Sequence, residues 1–114
     1  MPKRPISVTI LSWILIAAGT MGLIYHAREI KTLHPFPYDA LLVGFVRVLA
    51  IVSGAFMLRA HNWARWLAIV WIAFHVVISY FHSWSEVAMH AVILVVFAYL
   101  LLRPAANSYF RAST

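Results

Sequence analysis

The chain has 114 residues, of which 64% are hydrophobic and only 11% charged, a balance outside soluble usage that makes lipid its solvent. A net charge of +6 would suit nucleic acid in a soluble protein, but here the basic residues lie in short segments between apolar runs, where they orient a membrane chain. Nucleic acid is therefore not an expected partner, and the absence of cysteine removes disulfides, thiolate metal sites and thiol catalysis.

The first apolar run, 6–25, follows a basic start at Lys3 and Arg4. Ala17-Ala18-Gly19 would pass as a leader cleavage site, but the run continues through Met21, Leu23 and Ile24, which suits a membrane span better than a leader core. After it, His34-Pro35-Phe36-Pro37-Tyr38 predicts a non-helical, partly extended loop within 27–39. The second run is 40–58, the third 63–81 and the fourth, the shortest, 86–102. Each approaches the roughly 20 residues that carry a helix across about 30 Å of hydrocarbon, and lipid offers no partner for non-helical backbone. Tight turns at 59–62 and 81–85 make sequence neighbours spatial neighbours. The expected fold is all-α, a single domain over 1–114: an integral membrane four-helix bundle, up-down-up-down. The tail after Pro104 reads as a basic, aromatic-bearing end suited to the headgroup region.

Lys3, Arg4, Arg59, Arg65, Arg103 and Arg111 share one side of this arrangement, against Arg28 and Lys31 on the other. The positive-inside rule puts the richer side, and so both termini, in the cytoplasm, most simply beneath a bacterial inner membrane. Glu29, Asp39 and Glu86 fall at or near the outer side. Trp63 and Trp66 then mark the inner interface, and Tyr25, Tyr38, Tyr80 and Trp84 the outer one.

Small and polar residues at helical spacing trace a stripe on each helix: Ser12, Gly19, Gly22 and His26; Ala40, Gly44, Arg47 and Gly54; Ala64, Ala68, His75, Ser79 and His82; Glu86 and His90. Close packing of helices explains the small members, but not Arg47, His75 or His90. In an antiparallel hairpin turning near Ser83, His75 and His90 reach nearly one level, and Arg47 lies at a similar depth, about 10 Å below the outer interface by helical rise. An arginine there costs about 2.5 to 3.5 kcal/mol unless paired or hydrated, so Glu86 is its expected partner, with Asp39 the alternative. The candidate ligand-binding residues are Arg47, His75, Glu86 and His90, with His26 and His82 second.

Several chemistries suit such a cluster. His75, His90 and Glu86 form a candidate metal set, and the two histidines a candidate pair of axial ligands for a b-type haem. Helices in direct contact lie about 8 to 10 Å apart, which favours an ion over a haem. A quinone or another lipid-soluble ligand would use Arg47 and a histidine, with Trp71, Phe74 and Tyr80 as walls. A small transporter or proton-coupled channel would use the same groups as relay and anion site. The size and span number are similar to those of the small multidrug-resistance exporters, but the glutamate they need in their first helix has no counterpart between Ile6 and Tyr25. There is no phosphate loop, no His-Glu-x-x-His and no serine triad, and Ser79 is expected to bond its own i−4 carbonyl rather than act as a nucleophile. The chain thus reads as non-enzymatic, either a ligand-binding protein or a structural subunit, forming a homo-oligomer or joining a larger membrane complex.

Overall fold

Breakers and caps in the sequence set most of the helix ends. The computed structural model describes residues 3–32 and 38–111, without the side chains of 26, 29–32 and 38–41. Its described residues form five α-helices and no strand: α1 (Ile6–Thr32), α2 (Tyr38–Leu58), α3 (Asn62–Tyr80), α4 (Trp84–Leu102) and α5 (Pro104–Arg111). Helix α1 starts directly after Pro5 and runs past the predicted end at 25, because the polar segment up to Thr32 consists largely of good helix formers without a breaker. Loss of apolarity ends a candidate span, not a helix. Helix α2 correspondingly begins at Tyr38, and the proline-bearing part of the predicted loop, 33–37, lies outside the described residues.

Helix α2 closes with Ala60 in the left-handed region at φ 63°. The Ala60 N–H donates to Met57 O at 3.0 Å and the His61 N–H to Phe56 O at 3.0 Å, a paired closure that satisfies two of the helix's last carbonyls. Helix α4 is started by Ser83, whose Oγ accepts from the Glu86 N–H at 3.2 Å. It stops at Arg103, which the following Pro104 holds extended at ψ 162°. Pro104 then opens α5, whose missing N–H costs nothing in a first turn. The tail expected to suit the headgroup region is thus a helix whose Ala106 and aromatic Tyr109 and Phe110 are buried against the protein.

Three helices are long and apolar enough to cross a membrane, at Ile6–Tyr25, Asn62–Tyr80 and Trp84–Leu102. The described apolar part of α2, Leu42–Leu58, is shorter. Large apolar side chains on all of them, among them Trp13, Phe45, Val70, Val77, Val92 and Val95, are exposed, the surface expected where lipid is the solvent.

Helix α1 packs chiefly on α2, and α3 on α4, while α2 joins α3 and α1 barely touches α4. Glycine makes the first pairing close. A Cβ on Gly54 would stand 2.5 Å from the Ser12 carbonyl oxygen, and one on Gly19 2.7 Å from that of Arg47. These contacts run the two helices in opposite directions, as small-residue stripes predict. Gly44 is different: nothing lies within 4 Å of the place a Cβ would take, so this member of the stripe makes no interface.

The core is concentrated at the α5 end, where Val8, Met57, Ala64, Leu101, Ala106 and Phe110 are fully buried. Helices α2 and α4 both end there, leaving carbonyls that need donors. Tyr109 Oη donates to Met57 O at 3.0 Å and Leu58 O at 2.9 Å, and Arg4 adds a donation to Leu58 O at 2.9 Å. On α4, Arg65 donates to Leu101 O at 3.1 Å and Asn107 Nδ2 to Leu102 O at 2.9 Å. Arg65, expected as a charge flanking its helix, is instead only 3% exposed. No carboxylate among the described residues neutralises it. The negative end of α4, the Asn107 Oδ1 at 2.6 Å and the faces of Trp66 and Phe110, 5.5 and 5.2 Å from its guanidinium carbon, receive the charge.

Candidate ligand-binding cavity

Away from α5 the packing opens. Because α1 and α4 barely touch, a cavity of about 390 Å³ lies among the first four helices. Its polar lining is Arg47 of α2, His75 of α3 and His90 of α4, and its apolar lining includes Leu15 and Ala18 of α1, Trp71 and Ile72 of α3 and Phe97 of α4. Three of the predicted site residues thus meet in one space.

Each polar side chain is held by its own local sequence. Arg47 passes over Gly22, where a Cβ would come within 2.8 Å of its Cδ and Nε, so the glycine is a notch for the arginine stem. The His75 Nδ1 lies 2.8 Å from Trp71 O, one turn back on α3. A carbonyl only accepts, so Nδ1 carries the proton and, in the neutral ring, Nε2 keeps its lone pair. The indole of Trp71 packs against this imidazole, with ring centroids 4.1 Å apart and planes tilted by 44°, and is itself fixed by donating to Val46 O at 2.8 Å. Helix α2 is thereby tied to α3 at the wall of the cavity.

The same logic orients His90. Its Nδ1 lies 2.9 Å from Glu86 O and 2.9 Å from Ser79 Oγ, while the Ser79 hydroxyl is 2.7 Å from His75 O. One consistent assignment has Nδ1–H shared between Glu86 O and Ser79 Oγ, with Ser79 donating back to His75 O. Ser79 makes the expected i−4 bond and also joins α3 to α4, a link that its sequence position did not announce. The two imidazoles then stand 5.9 Å apart, inclined by 26°, each with its Nδ1 occupied. Arg47 contributes donors and a fixed positive charge beside them, in a setting of low dielectric.

Other expectations do not assemble. Glu86 is exposed in the first turn of α4, and among the described residues no hydrogen bond or ion pair joins it to Arg47. Its exposure at the start of the helix, away from the cavity lining, corrects the expected Arg47–Glu86 pairing. Among the described residues no three histidine or acidic side chains come together to hold a metal ion, so the set of His75, His90 and Glu86 is not formed. A haem has no space between its two candidate ligands, because α3 and α4 are in direct contact through Ser79 and His90. His82 is exposed and bonds its own turn at Ile78 O, 3.0 Å away. Tyr80 makes edge-to-face contacts with Phe81 and Trp84 instead of lining the cavity. The side chains of His26 and Asp39 lie outside those described. Compared with known protein families, curated proteins and solved structures, the chain matches none of them.

Proposed function

We propose that this protein is a non-enzymatic membrane protein that binds a small amphipathic ligand with an anionic head in the cavity at Arg47, His75 and His90. In this reading the first four helices all span the bilayer, up-down-up-down, with both termini cytoplasmic and a bacterial inner membrane as the simplest setting. In support of it, the longest dimension, 51 Å, exceeds the roughly 30 Å of hydrocarbon. The observation that carries the proposal is the convergence of side chains from three helices on one space of about 390 Å³. That volume falls in the range of about 300 to 1,000 Å³ typical of small-molecule sites, with mostly apolar walls and few polar groups.

Arg47 supplies the charge for an anionic oxygen, and a histidine Nε2 accepts a proton from an acid arriving in its neutral form. Octanoate is a suitable probe, titrated calorimetrically into the detergent-purified protein and its Arg47→Gln and Arg47→Lys variants. Saturable binding is expected, weakened about tenfold or more in Arg47→Gln as a charge-assisted hydrogen bond is lost, and less in Arg47→Lys. Equal binding by the parent and Arg47→Gln, or none by the parent, would overturn the proposal.

A further inference from the structure

Arg47 and His75 form a wall with space on both sides. Beyond the cavity between α1 and α4 they line a second space of about 220 Å³, together with Leu42, Val46, Phe74 and Ile78. Leu42, Val46 and Phe74 in turn border a third space of about 280 Å³, with entirely apolar walls, which reaches Leu49 on α2 and Leu67 and Val70 on α3. The shared residues make the last two one groove along the α2–α3 face. From Ile78 to Leu67 it follows α3 for about 16 Å by helical rise. Its polar groups are at one end only, where Arg47 and His75 stand. It faces the surroundings of the protein, since Val70 in its wall is 62% exposed.

We infer that the ligand is a single-chain anionic amphiphile of the long-chain fatty-acid type, with its carboxylate at Arg47 and its hydrocarbon chain in the α2–α3 groove. This rests on the binding role proposed for the Arg47 cavity and adds the tail site to it. The charge complementarity is local: among the described residues Arg47 has no carboxylate partner, and His75 is the second polar group within reach of the same head. The walls then change to hydrocarbon without interruption, which matches a molecule with one charged end and one long apolar end.

The test uses a long-chain fatty acid brominated near its far end and a reporter, Leu67→Trp in the Trp71→Phe background, because bromine quenches tryptophan at contact and Leu67 lines the groove but not the cavity, whereas Trp71 lines both. Added to the detergent-purified proteins, it should give a saturable quenched component in the Leu67→Trp protein that Trp71→Phe alone, with its exposed tryptophans at Trp13, Trp63, Trp66 and Trp84, does not show. The brominated alcohol with the same chain should bind about tenfold or more weakly, the expected loss when a charge-assisted contact is absent. This comparison, made also on the parent protein through Trp71, needs no variant that could fail to fold. Equal quenching by acid and alcohol, or no saturable component from Leu67→Trp beyond that of Trp71→Phe, would overturn the inference. Competition by octanoate separates the two readings. If octanoate binds through Arg47 with an affinity equal to that of the long acid, the tail site is wrong and the cavity stands; if neither acid binds, both are wrong.

Discussion

At Gly22 and Gly54 a single missing methyl does two different things. Gly54 lets α2 approach the backbone of α1, and a methyl there would stand 2.5 Å from the Ser12 carbonyl, which cannot move without its helix. Gly22 faces only the Arg47 side chain, whose stem can shift. Gly54→Ala should therefore destabilise the protein by about 1–3 kcal/mol, the usual cost of overpacking. Gly22→Ala should cost less stability but weaken carboxylate binding by displacing the guanidinium. Gly44→Ala, with open space at its Cβ, is the control and should be near neutral. Denaturant unfolding in detergent, beside an octanoate titration, checks all three; equal destabilisation by Gly54→Ala and Gly44→Ala would contradict the close α1–α2 contact.

Among the elements, α5 has the clearest structural task. Helices α2 and α4 terminate together, and their final carbonyls need donors that a neighbouring apolar helix cannot offer. Tyr109 supplies one hydroxyl to two of these carbonyls, 3.0 and 2.9 Å away. Tyr109→Phe keeps the ring and removes only the donor, and because Met57 O keeps the Ala60 N–H and Leu58 O keeps Arg4, it should lower stability by about 0.5–1.5 kcal/mol, the net value of a hydrogen bond. Thermal unfolding of the purified variant reads this directly. Ligand binding in the distant cavity should be unchanged, and a parallel loss of both would show that α5 also shapes the site.

For the whole molecule, charge distribution and packing share one polarity. Arg4, Arg65 and Arg103 are engaged at the α5 end, with Arg59 exposed at the neighbouring turn. That end is also the densely packed one, whereas the cavity is in the opposite half. The proposed orientation puts the basic, closed end in the cytoplasm and the cavity half outward. Because the sequence has no cysteine, single cysteines at His34 and Ser113 give a clean topology assay in intact cells. An impermeant maleimide should label the first and not the second; the reverse pattern would invert the orientation, and equal labelling would remove the four-span topology.

Composition and periodicity by themselves determined that the chain is helical and apolar enough for a membrane, because lipid demands long uninterrupted apolar runs with their backbone satisfied internally. They also singled out Arg47, His75 and His90, since charged and polar side chains on apolar helices are costly enough to stand out singly. Tertiary structure alone decided how those residues are used. That Glu86 stays exposed in the first turn of α4 rather than pairing with Arg47, that Ser79 bridges to His90, and that α1 and α4 part to leave a cavity all depend on the rotation and spacing of helices, which a stripe of small residues leaves free. The burial of Arg65 was hidden for the same reason: its partners come from the end of α4 and from α5, and a terminal arginine near an interface has the same sequence pattern whether it meets headgroups or carbonyls.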